Sequence, residues 1–507
     1  MGLYDFTIYD IICRNAQIYS DRDAIFFNQI YLSYREFKEK CDQFASGLVK
    51  LSIKKGDRIA VVANNSDEYL ILLGAAAKIG AIVILVNFRL QKDEVKYVFR
   101  DCSPKMVFAG QDYQKMVVEA SVSIKSIKGH YSIGGGGVEN KFLPFEVIYS
   151  KDGVENIIDI PTETEFVIIP TAAVGGKPRG AVLSQANIIA LNVQLMDQYN
   201  ISSDDCHLCF APIYHIAGLS WIIAVMHKGG KNVLVDRFDA ELTLQLIERE
   251  KVTMFLSFSP ILKKITDKYP QHFYDISSVR KVGGLDTPED IERFLKIAPN
   301  AKWFSAYGQT EAMAVTWCTM EEKPGSVGRP SILTKIALFD DNGNEVPIGI
   351  PGEICVRSPM VFQGYWGMDD ENAYTFRNNW HHTGDIGRFD KEGYLWYVKR
   401  KTQKELIKPG GENVYPAEVE KIILSHKGVS EVCVIGVTDS EWGEAIKAIC
   451  VIKEGMTLDS GELIDFVASK IARYKKPKYV TFVDSMPKTK EGEIDRDQVK
   501  RDHGGKY

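Results

Sequence analysis

This 507-residue chain has no long block of one-signed charge, no paired-cysteine framework, no internal repeat and no uninterrupted apolar stretch of membrane length. With a net charge of -5, a general electrostatic grip on nucleic acid is not expected, so a polyanionic ligand must meet local cations or backbone N–H groups. The nine cysteines are odd in number and scattered, which fits a reducing, cytoplasmic setting. Cys206-His207-Leu208-Cys209 is a CxxC without a second pair, and reads as two thiols on a buried strand. The start, Met1 to Phe6, has no basic segment before an apolar run, and Phe6 stands where myristoylation wants Ser or Thr, so neither leader nor acyl anchor is expected. The most membrane-like stretch, Leu70 to Val86, is broken by Lys78 and Gly80. It predicts a buried helix over Asp67–Ile79 and an interior parallel strand over Ala81–Val86, with no integral membrane segment. Gly134 to Gly137 is followed by no phosphate-loop pattern and reads as a surface loop.

What is present is ample apolar material: 45% hydrophobic residues, enough for more than one folding unit. Short strand candidates (58–63, 81–86, 106–109, 166–169, 232–235, 254–257) alternate with amphipathic stretches such as 33–51 and 240–251. This predicts an α/β class with mainly parallel strands. From about Gly325 the texture becomes turn-rich β, predicting hairpins and a small barrel-like unit. The expected division is an N-terminal domain over 1–400, with a β-rich subdomain at 325–400, and a mobile α+β lid over 401–507. The charged stretch Lys399 to Lys404 is the expected hinge.

Four segments carry chemistry. Ile169 to Gly180 follows an apolar strand and offers close-approach glycines with Lys177 and Arg179, which suits phosphate. Alone it is also an ordinary Gly/Pro turn. Ser305-Ala306-Tyr307-Gly308-Gln309-Thr310-Glu311 offers a ring for a base, a hydroxyl, and one carboxylate for Mg²⁺; the bland alternative is a strand end with a capped helix behind it. Trp380-His381-His382-Thr383-Gly384-Asp385 places an Asp after a tight Gly turn, suited to two ribose hydroxyls. Its two histidines should face opposite sides of a strand, which argues against a metal pair. Lys408 to Glu420 has paired glycines, then a Pro opening a helix, a firm base for the wall of a thin channel.

In this order, and with Ala211 to Gly218, Val282-Gly283-Gly284, Gly325 to Pro330, Gly352-Glu353-Ile354 and Gly364-Tyr365, the segments resemble the adenylate-forming superfamily. The stretch Gly410 to Glu420 is most similar to its AMP-forming acyl-CoA synthetases. The resemblance implies that Tyr307 and Gly284 flank adenine with Gly283 and Gly308 beside them, and that Asp385 and Arg400 hold the ribose. It implies that Thr310 contacts phosphate, that Glu311 binds Mg²⁺, and that His215, Trp221, Ala306 and Met313 lie near the acyl group. Gly410, Gly411 and Glu412 would lie near the pantetheine of coenzyme A. The implied chemistry has two halves. A small-molecule carboxylate attacks the α-phosphate of ATP and releases pyrophosphate; the CoA thiolate then displaces AMP from the acyl-adenylate, and the sequence can run in reverse.

Two departures fall on phosphate handling. The superfamily's phosphate loop is rich in hydroxyls, whereas Ala172, Ala173, Val174 and Gly175 have none, and Arg179 stands for a Lys. At the position of the C-terminal lysine that bridges carboxylate and α-phosphate stands Glu493. One unit charge about 4 Å from another is worth about 4 kcal/mol at an effective dielectric of 20, so reversing its sign is not neutral. Lys177, Arg179 and Lys490 are the expected substitutes. Arg473, Lys475, Lys476 and Lys478 are either a CoA-phosphate site or a solvated face, the latter being the default. Met313, Ala314 and Trp317 suggest an apolar pocket for a medium-length, aromatic or alicyclic monocarboxylic acid. Transfer to a carrier protein and an adenylate-binding protein without adenylation are the alternatives; oligomeric state stays open, a homodimer included.

Overall fold

The computed structural model describes residues 2–135, 141–151, 159–171, 178–271, 274–401, 406–489 and 492–505. The alternating strands sort into two large mixed sheets. A nine-stranded sheet is built around parallel strands Asp23–Phe27, Lys231–Leu234, Cys206–Cys209, Met254–Phe258, Lys281–Leu285 and Lys302–Gln309, with antiparallel strands at its edges. A seven-stranded sheet carries Arg58–Val62, Ile82–Leu85, Met106–Ala109 and Glu165–Thr171 in parallel, with Arg179–Ser184 antiparallel to the last. Helices Asp67–Ile79 and Ile216–Lys228 are buried on nearly every side, and one core cluster joins them to strands of both sheets. A helix apolar all round needs such double cover.

Local signals set most boundaries. Ser33 accepts from the Glu36 amide, and Glu36 from the Ser33 amide, which starts the helix Tyr34–Lys50. Gly80, at φ 70°, ends Asp67–Ile79 in a left-handed cap, so the expected helix–turn–strand stands in place of a span. Among the described residues no helix is long and apolar enough to cross a membrane. The CxxC lies on the wholly buried strand Cys206–Cys209; burial lifts the Cys206 thiol to about 12, and the thiol is inert at neutral pH. Of the 134–137 loop, Gly134 and Gly135 have positive φ and the remainder lies outside the described residues.

The turn-rich stretch forms a four-stranded antiparallel sheet of Lys335–Phe339, Gly352–Arg357, His381–Phe389 and Leu395–Arg400, tied to its neighbour by a bridge between Gly328 and Leu395. Most of the expected hinge beyond Lys401 lies outside the described residues. The last segment packs helices Pro416–Leu424 and Ser460–Lys470 on a three-stranded sheet, Val429–Asp439, Gly443–Ile452 and Tyr479–Phe482. It docks on the larger body through charge. The Lys475 ammonium is 2.5 Å from Glu94 and 2.6 Å from Glu418, and the Ala472 amide donates to Glu94 at 3.0 Å. The solvated reading of the basic run is therefore corrected for Lys475, whose side chain is 3% exposed; a buried ammonium persists there because two carboxylates compensate it.

Candidate active site

The hairpin of Lys302–Gln309 and Ala312–Thr319 turns at Thr310 and Glu311, so a strand and not a capped helix follows this motif. Its register shifts between Tyr307 and Gln309. A Cβ on Gly308 would come within 2.6 Å of the Ala314 amide nitrogen, which keeps that position small. Opposite the hairpin, Asp385 pairs across the sheet with Arg400, directly after Gly384 at φ 76°.

The Tyr307 hydroxyl donates to Asp385 Oδ2 at 2.7 Å, the Gln309 amide donates to the same oxygen, and Arg400 Nε donates to Oδ1 at 2.7 Å. Asp385 is 1% exposed. Burial opposes charge on Arg400, but Asp385 outweighs it and the guanidinium pKa is raised. Burial and the Asp385 charge together push the Tyr307 hydroxyl up, so it stays a donor. Behind this group Glu353 accepts from the Gly384 amide at 3.0 Å and meets Arg377 at 3.0 Å, Lys401 at 3.2 Å and His382 Nδ1 at 3.0 Å. Burial alone would raise the Glu353 carboxyl; His382 and Lys401 hold it down to about 2. Cys355 completes a buried Glu353–Cys355–His382 cluster, but Arg377 and Lys401 already neutralise its carboxylate. His381 turns the other way, toward the rings of Phe362 and Phe376, as expected for strand neighbours.

Beside the Asp385 group lie Glu311 and Arg179. Glu311 is buried and accepts the Tyr365 hydroxyl at 2.7 Å, and no ion pair with a described residue neutralises it. The Arg179 guanidinium pairs with Glu371 and lies 4.1 Å from the Tyr365 ring centroid; its Nε–H is buried without a partner among the described residues. Thr171, Thr310, His381, Thr383, Lys408, Asn413 and Tyr415 complete the lining. Lys177 and Lys490 lie outside the described residues, as do Ala172 to Gly175. Glu493 is exposed in a small hairpin where the Thr489 amide donates to its carbonyl.

On the acyl side, Gly284 has φ 130°, and a Cβ there would come within 1.9 Å of the Ser257 carbonyl oxygen, so only glycine fits. Gly283 faces the Tyr199 hydroxyl, and Trp221 is 1% exposed, packed on Tyr199 and His207. Met313 is half-buried and Ala306 exposed. Gly410 and Gly411, both at positive φ, lie against Trp442, Phe258 and Ser259. Glu412 is buried between Arg89 at 2.7 Å, Tyr214 at 3.2 Å, His215 at 3.3 Å and Asn87 at 3.4 Å. Burial opposes its charge, yet His215 and Arg89 hold its carboxyl down to about 2. Glu412 thus joins the tail module to the larger body.

Comparison with known proteins decides what this cleft belongs to. The AMP-binding enzyme profile matches residues 12–366, and the AMP-binding enzyme C-terminal domain profile matches 418–493. The chain belongs to the AMP-binding enzyme family. Within it, the chain is 31% identical to an indoleacetate–CoA ligase of Aromatoleum aromaticum over 97% of each chain. It is 30% identical to a feruloyl-CoA synthase of Amycolatopsis sp. over 97% of this chain and 98% of that one. The o-succinylbenzoate CoA synthetase of Bacillus subtilis, bound to a product analogue, superposes with a TM-score of 0.85 at 25% identity, over 99% of this chain and 100% of that one. As an AMP-binding enzyme of this branch the chain is an AMP-forming acyl-CoA ligase that uses a carboxylic acid, ATP and CoA.

Several lining residues of this AMP-binding enzyme carried no role in the sequence reading. Gln309, Tyr365, Lys408 and Tyr415 all lie inside the quoted motifs; Gln309 and Tyr365 each follow a glycine, and Lys408 and Tyr415 each precede a proline. Thr171 and Glu371 gave no such signal. Glu371 reaches Arg179 from helix Asp369–Thr375, shortly after Tyr365 in the chain.

Proposed function

We propose that the cleft holds ATP with its ribose on Asp385 and its phosphates toward Thr310, Arg179 and Glu311, and that the acid it activates carries a ring. The reading is supported above all by one observation: Tyr307, Gln309 and Arg400 converge on the buried Asp385, beside a buried carboxylate that nothing described neutralises. A buried, unpaired carboxylate is costly, and a divalent cation is a fitting partner. Glu311 would hold Mg²⁺, which would neutralise charge developing on the phosphates. The ribose hydroxyls take over Asp385 from Tyr307 or Gln309, freeing the Tyr307 ring to lie against adenine. Arg179, with Lys177 and Lys490, supplies the positive charge that Glu493 does not. Gly410 and Gly411 keep the backbone close to Trp442 and Phe258, and pantetheine would pass beside them.

The ring-bearing acid is favoured by relatives named for indoleacetate and ferulate and by the aromatic wall of Tyr199, Phe304 and Trp317. An AMP-release screen across short, medium, long and ring-bearing acids, with and without CoA, tests this. CoA-dependent AMP release greatest for ring-bearing acids is expected. Equal rates with an unbranched long-chain acid would overturn the substrate class, and AMP release indifferent to CoA would overturn the thioester product.

A further inference from the structure

Arg179 and Glu371 form an unequal pair. The Arg179 side chain is 9% exposed, while that of Glu371 is 35% exposed. Arg179 is held in place from three directions: by its strand Arg179–Ser184, by the Tyr365 ring, and by Glu371. Tyr365 is itself clamped, because its amide donates to Asn372 at 2.6 Å and the Asn372 side chain donates back to its carbonyl at 2.9 Å. The guanidinium therefore has nowhere to go, whereas the carboxylate has solvent to retreat into. One donor, Arg179 Nε, remains buried and unmet among the described residues. A guanidinium presents several N–H groups in a fixed fork that matches phosphate oxygens, and leaving one of them buried and unmade carries a penalty.

We propose that Glu371 is a displaceable counter-ion: it keeps Arg179 oriented in the cleft, and the pyrophosphate end of ATP takes the guanidinium over from it. The inference rests on the nucleotide occupying this cleft. It makes Glu371 a positioning residue that sets affinity for polyphosphate in particular. AMP, with one phosphate on the ribose side, has no such exchange to make.

The test measures acid-dependent ATP–pyrophosphate exchange and AMP binding by calorimetry, in the wild-type protein and in Glu371→Gln and Arg179→Lys. Because a partly exposed pair competes only weakly, Glu371→Gln should lower KM for pyrophosphate about three- to fivefold, with the Kd for AMP moving less than about twofold. Arg179→Lys, which keeps charge but loses the fork, should raise KM for pyrophosphate and serves where Glu371→Gln folds poorly. An unchanged or raised KM in Glu371→Gln, or parallel shifts in pyrophosphate and AMP affinity, would overturn the counter-ion role. Absence of AMP binding by the wild-type protein would instead overturn the placement of the nucleotide.

Discussion

The two ends of the cleft are built differently. Around Asp385 the charges are paired: Asp385 accepts from Tyr307, Gln309 and Arg400, and Glu353 steadies the Gly384 turn from behind. Around Glu311 they are not: among the described residues the Glu311 carboxylate meets the Tyr365 hydroxyl without an ion pair, and Arg179 keeps one donor unmet. Polar groups buried in a low-dielectric site are expensive unless paired. The Asp385 end is thus a frame complete in itself, and the Glu311 end leaves polar groups that, on the proposed reading, the phosphates of ATP and Mg²⁺ would meet. This division suits an enzyme that must grip one part of a molecule while another part reacts.

The comparison breaks most visibly at Asp385. Asp385→Ala leaves the buried Arg400 uncompensated, a defect of about 3–5 kcal/mol for a broken buried pair, so both the melting temperature and AMP release should collapse together. Glu311→Gln should separate the two. Melting changes little, while AMP release falls about a hundredfold and its Mg²⁺ dependence flattens, as expected when a group acting on developing charge is removed. Activity retained in a magnesium titration of Glu311→Gln would mean that the phosphate end does not hold the metal there.

Smaller effects sharpen the picture. Glu493 is exposed, so Glu493→Lys should shift stability by no more than about 0.5 kcal/mol. It should still raise the adenylation rate about tenfold, a fraction of the charge-reversal energy, and more than the thioester-forming rate. Equal effects on both halves in single-turnover measurements would count against a role for that position in adenylation. Last, Glu412 is held at about 2, below its ordinary 4.5. A lowered carboxyl contributes stability that is full above about pH 4.5 and fades as pH falls toward 2, on the order of 3 kcal/mol at most. Acid titration of the docked tail, followed by hydrogen exchange at Asn87 and Arg89, should show this transition in the wild-type protein and lack it in Glu412→Gln.

Much of this was legible in the chain because the signals were local. Ser33 with Glu36, and Gly80 after an apolar run, fixed helix ends to within a residue or so. Tyr307 and Asp385 stood out because each sits beside a glycine in its motif, whereas Arg400 came from the charged stretch Lys399 to Lys404 and from the resemblance. What escaped were contacts made at long range by residues of ordinary appearance. Glu371 looks like one more acid in Asp369-Asp370-Glu371, and only the fold brings it to Arg179. Lys475 looked like a solvated cation in a basic run, because nothing near it in sequence announces Glu94. The surroundings of Trp221, expected near the acyl group, were also illegible, since only the fold packs it on Tyr199 and His207.

The short stretch from Asn87 to Glu94 takes hold of the tail module at two separate points, Glu412 at one end and Lys475 at the other. Lifting the module from this pose would part Glu412 from Arg89 and Lys475 from Glu94, so this one short segment sets the electrostatic cost of leaving it.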